Sequence, residues 1–240
     1  MKTSASNKTR VTAVIALSVL ASTIGTQFAQ AATPTRYISV SSTGTVKVTP
    51  DAVRLNASVS AIAKVSKEAL ANANIAAAKF RTAILANGID KKYLSSTSLT
   101  VYPEYNYTQE TGNVLIGYRA SQSFEVIIRN AAKAGEIVDA VVASAGDALY
   151  INGVTPFVYD NTKATLAART DAVKNAKAKA ASYAKLLGVK IGKIIYLQES
   201  SAPSSYPISM VQAKSDAGAT EIDLGQQDIS VSVSTKWAIS

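Results

Sequence analysis

Residues 99–128 read LTVYPEYNYTQETGNVLIGYRASQSFEVII. In the first half Leu99, Val101, Pro103, Tyr105 and Tyr107 share one face of an extended chain, and Tyr102 lies on the other. Thr108-Gln109-Glu110-Thr111-Gly112-Asn113 is a polar bend, after which Ile116, Tyr118, Ala120, Phe124, Val126 and Ile128 again share one face. Period-two alternation on both sides of a glycine-containing bend predicts an antiparallel hairpin. Pro103 has no ladder donor, which places the first strand at an edge or beside a bulge. Gln122 interrupts the apolar face and needs a polar partner or a wet position there.

Outward from this hairpin the period changes. Towards the N-terminus, Leu70, Ala73, Ala77, Phe80 and Ile84 recur at steps of three and four within 66–87, an amphipathic helix. Ser66 reads as its N-cap, Glu68 complements the first turn, and Gly88 ends it. The many alanines predict a close approach to a sheet. Before it, 36–48 and 53–61 alternate as two half-buried strands joined by a tight turn at Pro50-Asp51.

Towards the C-terminus, 131–145 is a shorter helix with the stripe Ala134, Ile137, Val138, Val141 and Val142. Residues 149–159 return to extended structure, made irregular by Asn152-Gly153 and Pro156. The longest helix spans 161–187, capped by Asp160 and ended by Gly188, with Leu166, Val173, Ala176, Ala180, Ala184 and Leu187 as its stripe. A strand at 190–197 follows. Residues 200–227 are a polar stretch without periodicity, either a mobile loop or a segment lying across another surface or subunit. The last strand, Ile229, Val231, Val233 and Trp237, keeps one wet face of Ser230, Ser232 and Ser234. The order ββα ββα β α β, with the loop before the last strand, predicts an α+β fold with an antiparallel or mixed sheet and segregated helices. The two ββα units read as one domain or as two pseudo-repeated lobes.

At the start, Lys2, Lys8 and Arg10 precede an apolar run at 11–21, and Ala29-Gln30-Ala31 has the form of a cleavage site. This predicts a signal peptide at 1–31 and an exported single domain at 32–240 with no transmembrane segment. A chain with no cysteine cannot be a lipoprotein and relies on packing alone outside the cytosol. Three of its nine excess positive charges lie in the leader. Export argues against nucleic acid as the target of the rest, and leaves anionic envelope polymers or lipid surfaces. Those charges concentrate on the long helix, at Lys174, Lys177, Lys179 and Lys185.

The absence of histidine and cysteine excludes a His-based triad, a thiol nucleophile and an ordinary zinc site. No phosphate loop or calcium loop occurs. Ser66 with Lys64, and Ser215 with Lys214, lack the context of a serine–lysine site, and Glu104 and Glu110 only flank the hairpin. The reading is therefore non-enzymatic, with no cofactor and no metal. Arg169 sits on or beside an apolar stripe, so its guanidinium is either a structural anchor to a carboxylate or carbonyls, or a contact for an anionic ligand. Asp51 reads as a turn cap. Tyr102, Tyr105, Tyr107 and Tyr118 form either a ladder under a helix or an interface with protein or glycan.

Several ordered stretches resemble the SIMPL-domain family of exported bacterial proteins. They are Ser41-Ser42-Thr43-Gly44-Thr45-Val46-Lys47-Val48-Thr49-Pro50-Asp51, Asn87-Gly88-Ile89, 101–107, Gly117-Tyr118-Arg119-Ala120, 168–173 and 225–233. Ser42 stands where the family usually has an acidic residue, and Leu224 where proline is common. The resemblance implies an α+β fold, an exported location (periplasmic in a two-membrane bacterium) and, for some members, large ring-like oligomers. It implies no catalytic residues. Together these readings describe an envelope or extracellular protein that acts through protein–protein surfaces and self-associates as a homo-oligomer. The alternative is a binding module for an anionic envelope polymer or lipid surface.

Overall fold

The structure, a computed structural model, describes residues 36–110, 112–199, 204–207 and 220–240. The leader read at 1–31 and most of the 200–227 stretch lie outside these residues. The fold is α+β, with two antiparallel sheets. One has the order β3-β4-β2-β5, built from β2 Ala52–Ala63, β3 Leu94–Thr108, β4 Gly112–Ile128 and β5 Leu149–Phe157. The other has the order β1-β8-β6, built from β1 Tyr37–Val48, β6 Ile191–Glu199 and β8 Gln227–Ile239. Helices α1 (Ser66–Ala86) and α2 (Ala134–Ala145) pack with the first sheet, and α3 (Thr162–Leu186) lies on β1 and β8 of the second.

The first two strands are consecutive but do not pair, unlike the simple turn that their spacing suggests. β1 pairs with β8 from Tyr37↔Ala238 to Val48↔Gln227, whereas β2 lies between β4 and β5. The segment Thr49-Pro50-Asp51 therefore carries the chain from one sheet to the other. Buried Pro50 fixes φ and brings no N–H to satisfy. Asp51 Oδ1 accepts the Tyr159 N–H at 2.7 Å, which ties the crossover to the chain just beyond β5. Gln227, also buried, accepts the Val158 N–H and donates to the Pro156 carbonyl at 2.9 Å. The crossover and the first residue of β8 are thus anchored on one segment.

The first core lies between β2, β4, α1 and α2. Val53, Leu55, Val59, Val126 and Ile128 meet Phe80, Ile84 and Val141, and Phe80 stacks on Phe124 with centroids 4.7 Å apart. Val142, read as part of the α2 stripe, is exposed instead, and Ala145 takes the buried place. Gln122 is half-buried and donates weakly to Ser96 Oγ, opposite an irregularity of β3.

The second core corrects the reading of the long helix. Its buried stripe is Ala168, Ala172, Ala176, Ala180 and Ala184, and Leu166 and Leu187 are 60% and 64% exposed. The cause is Gly44 on β1. A Cβ there would stand 2.1 Å from the Ala168 carbonyl oxygen and 2.4 Å from the Ala172 nitrogen. With helix backbone lying directly on strand backbone, only methyl groups fit between them, and leucines are displaced to the flanks. Trp237 closes the far end. Its indole donates to Thr235 Oγ1 at 2.9 Å, and that hydroxyl donates to the Val40 carbonyl, so both buried polar groups are satisfied. On the opposite face of this sheet, hydroxyls pair in three successive rungs: Ser41 with Ser234, Thr43 with Ser232 and Thr45 with Ser230.

Helix ends follow local chemistry. Gly88 and Gly188 adopt φ of +78° and +67°, and the bonds Ile89 N–H to Ile84 and Val189 N–H to Ala184 close each terminus. At the start of α1, Ser66 is already helical. Extended Val65 is the flanking residue, and its carbonyl accepts from Glu68 and Ala69 with no side-chain cap. Asp160 Oδ1 accepts the Thr162 N–H at 3.0 Å at the start of α3.

Part of the aperiodic stretch has a defined place. β7 (Ser204–Pro207) pairs with β8, and residues 220–224 strap across α2. Thr220 donates through its N–H (3.0 Å) and hydroxyl to Asp139, while Ile222 and Leu224 pack against the first core. A Cβ on Gly135 would stand 1.8 Å from the Thr220 carbonyl oxygen. Glycine to alanine inside a helix ordinarily stabilises by roughly 0.5–1 kcal/mol. Here Gly135→Ala should destabilise, because the strap must lift. Hydrogen–deuterium exchange should rise in 220–226 ahead of the rest of the chain. A melting temperature at or above the parent's would contradict this.

Candidate functional site

β2 ends at the rung Ala63↔Tyr118, but β3 and β4 run on as a two-stranded arm, Glu104–Thr108 against Gly112–Gly117. The register steps from Glu104↔Gly117 to Tyr105↔Leu115, which leaves Ile116 as the extra residue of a bulge. A bulge bends and twists the strand that carries it. Gly117 allows the close approach at this point, since a Cβ would meet the Ala63 carbonyl oxygen at 2.4 Å. Beyond the bend Tyr105, Tyr107 and Leu115 are 55%, 70% and 47% exposed. Val114 and Ile116 are exposed as well. A lone two-stranded ribbon is marginal in water, and exposed apolar side chains add to the cost of leaving this one unaccompanied.

The base of the arm is clamped. Arg119 donates from Nε and Nη2 to both oxygens of Glu104 at 2.8 and 2.9 Å, and from Nη1 to Ser60 Oγ at 3.0 Å. The hydrogen bonds from Arg119 hold the Glu104 carboxyl below its ordinary pKa, and Glu104 in turn raises that of Arg119. The folded pKa of Glu104 is depressed, so the clamp stabilises at all pH values above the ordinary carboxylate range. That contribution fades as pH falls through the folded value. Compared by calorimetry, parent and Glu104→Gln should therefore differ most in melting temperature near about pH 7, and the gap should shrink below about pH 4. A gap that does not change with pH would show that the ion pair adds nothing.

The four tyrosines are not equivalent. Tyr105 and Tyr107 project from the arm, and among the described residues no helix covers them. Tyr102 is half-exposed on the other sheet face, and Tyr118 is partly buried against Ala69, Ala73 and Ala120 at the arm's root. Glu104 is committed to Arg119, and Glu110 lies exposed at the tip.

Arg169 makes a bidentate contact with Glu199 of β6, 2.7 Å from Nε and 3.1 Å from Nη2, and so ties α3 to the outer strand. The same bonds depress the Glu199 pKa. Asp51 is spent on the Tyr159 N–H. Lys174, Lys177 and Lys185 are exposed and in no ion pair among the described residues. At 100° per residue Lys174 and Lys185 fall roughly opposite the buried alanine stripe, and Lys177 falls on its flank. Lys179 is used differently: with Asn175 it reaches the carbonyls of Ser41 and Thr43 at 3.2 and 3.3 Å and covers the outer strand β1. Among the described residues β6 is not covered in this way, with Ile194, Ile195, Tyr196 and Leu197 all exposed.

Among the described residues no acidic cluster is arranged to hold a metal ion, and no helix is long and apolar enough to cross a membrane. Two assemblies escape a reading of single residues. The Arg119–Glu104 clamp joins positions 15 apart, diagonal on one hairpin face, and would be legible once the register is known. The second groups Arg129 with Tyr93 and Tyr159, which no local spacing connects.

An α+β chain of two antiparallel sheets with a projecting hairpin belongs to a recognisable class. Residues 38–237 match SIMPL, a protein family of unknown function (DUF541), and the chain belongs to that family. It is similar to the 26 kDa periplasmic immunogenic protein of Brucella melitensis, 31% identical over 223 residues that cover 88% of this chain and 87% of the relative. The protein of the same description from Brucella abortus matches to the same extent. The uncharacterized protein YggE of Edwardsiella ictaluri is 30% identical over 66% of this chain and 65% of its own.

Proposed function

We propose that this is an exported, non-enzymatic envelope protein that works by self-association through the β3–β4 arm. The observation that carries the reading is the arm itself, a two-stranded ribbon with Tyr105, Tyr107 and Leu115 in solvent. The leader at 1–31 supports export, and the periplasmic location in the name of the Brucella relative agrees with it. A second copy is the natural occupant, because the chain supplies a complementary surface. Between Glu104 and Tyr118 the arm has no lysine or arginine, and with Glu104 held by Arg119 its outward acid is Glu110 at the tip. The exposed apolar strand β6 is flanked by Lys190, Lys193 and Lys236. Arm to β6 is a head-to-tail contact, and such contacts close into rings or run on as filaments. Sedimentation velocity of the purified chain over a range of concentrations tests this: a mass above one copy is expected, and a monomer throughout would refute it.

The lysine stripe favours a second reading, contact with an anionic envelope polymer or lipid surface. It predicts cosedimentation with vesicles containing phosphatidylglycerol that weakens with salt. Lys174→Gln/Lys177→Gln/Lys185→Gln should remove this binding without changing the assembly.

A further inference from the structure

We propose that the cleft between the end of α1, the end of β4 and the start of α2 binds a small organic anion, a carboxylate on a short apolar tail. The cavity is about 470 Å³, within the size range of small-molecule sites. Its apolar walls are Ile89, Ile128 and Ile137, all buried. Arg129 and Lys133 line the same cavity, as does Tyr93.

Arg129 is held by two aromatic rings, with no carboxylate in direct contact among the described residues. Arg54, Arg119 and Arg169 each face a carboxylate, but Arg129 faces two phenols. Its guanidinium carbon stands 3.5 Å from the ring centre of Tyr159 and 5.8 Å from that of Tyr93. The two rings meet edge-on at 6.2 Å. Nη1 donates to the Tyr93 hydroxyl at 3.1 Å. A guanidinium has five N–H donors, so most of this one's donors remain for an added acceptor. The stacking fixes its plane, and an anion arriving there finds a fork that is already oriented.

The nearby acids do not fill that role. Asp51 accepts from the Tyr159 N–H, Asp160 accepts from the Thr162 N–H, and Asp90 at the cleft is paired with Lys92 at 3.2 Å. Lys133 adds a second positive charge on the α2 side. An inorganic anion would engage the charges and leave uncovered the apolar rim formed by part-exposed Ile127 and the edges of Ile89 and Ile137, which is why the ligand carries a short apolar tail. Burial of each added methylene should tighten binding about fourfold while the cleft has room.

Calorimetric titration of the full chain with butyrate, octanoate, sodium phosphate and octylammonium tests the site. Octanoate should bind saturably at one site and more tightly than butyrate, and octylammonium should not bind. Arg129→Gln should weaken octanoate about tenfold or more. Lys133→Gln, at an exposed position that does not threaten folding, should weaken it severalfold, and Arg169→Gln should have no effect. Absence of saturable octanoate binding would overturn the proposal. So would phosphate binding as tightly as octanoate, or parent-like affinity in both the Arg129→Gln and Lys133→Gln variants.

Discussion

Gly44→Val will lift α3 from its sheet and lower the stability of the whole chain by about 3 kcal/mol, the upper range for overpacking. The valine Cβ has nowhere to go, because its neighbours at 2.1 and 2.4 Å are helix backbone atoms rather than side-chain ends that can rotate. Five alanines already bring the helix to its nearest approach, so the strain cannot be shared by repacking. For a chain of this size the melting temperature should fall by about 6–12 °C. Gly153→Val supplies the control. It also lies in a strand, but no atom stands within 4 Å of its Cβ position, and its stability should stay near the parent's. Equal melting temperatures for the two variants would show that the close contact at Gly44 is not what holds the helix.

The second large effect concerns assembly rather than folding. Tyr105→Ser/Tyr107→Ser/Leu115→Ser should reduce the oligomer to monomer while leaving the melting curve of the monomer nearly unchanged. All three side chains are exposed in the isolated chain, so folding buries little of them. If a partner copy buries them, each contributes roughly 1.5–3 kcal/mol, and even partial loss across three sites shifts the dissociation constant by about a thousandfold or more. Analytical ultracentrifugation of parent and variant over the same concentrations reads this directly. A variant that keeps the parent's mass would exclude the arm as the contact. Shifting Arg119 instead should have a milder effect, since the clamp orients the arm but does not itself face outward.

Much of this fold is written in local periodicity. The hairpin at 99–128, the three helices and the last strand all show their period, and the structure places β3, β4, α1, α2, α3 and β8 there. What local pattern does not carry is the partner of each strand. β1 and β2 alternate equally well, and only the distant Gln227–Ile239 and Gly112–Ile128 decide that they enter different sheets. The buried stripe of α3 departs from its apolar pattern for a related reason. Leucine outweighs alanine in any count of apolar residues, yet the distance between helix and strand is set by Gly44, more than a hundred residues earlier. The tyrosines of the arm are conspicuous in sequence because alternation alone puts them on a face. Arg129 is not, since Tyr93 and Tyr159 come to it from two other elements.

The three hydroxyl rungs on the outer face of the β1–β8 pair have a consequence for where such a chain can work. Ser41, Thr43, Thr45, Ser230, Ser232 and Ser234 give the middle of this face donors and acceptors that pair without an ionisable group, and charge appears only beyond them, at Lys47, Asp228 and Lys236. Hydroxyls neither gain nor lose a proton across the acidic range that would undo a carboxylate clamp, and dissolved ions do not screen them. A face stitched in this way keeps its shape when the surrounding medium turns acidic or brackish. The rungs would be unmoved by such a change, while the carboxylate clamps at Glu104 and Glu199 respond to it.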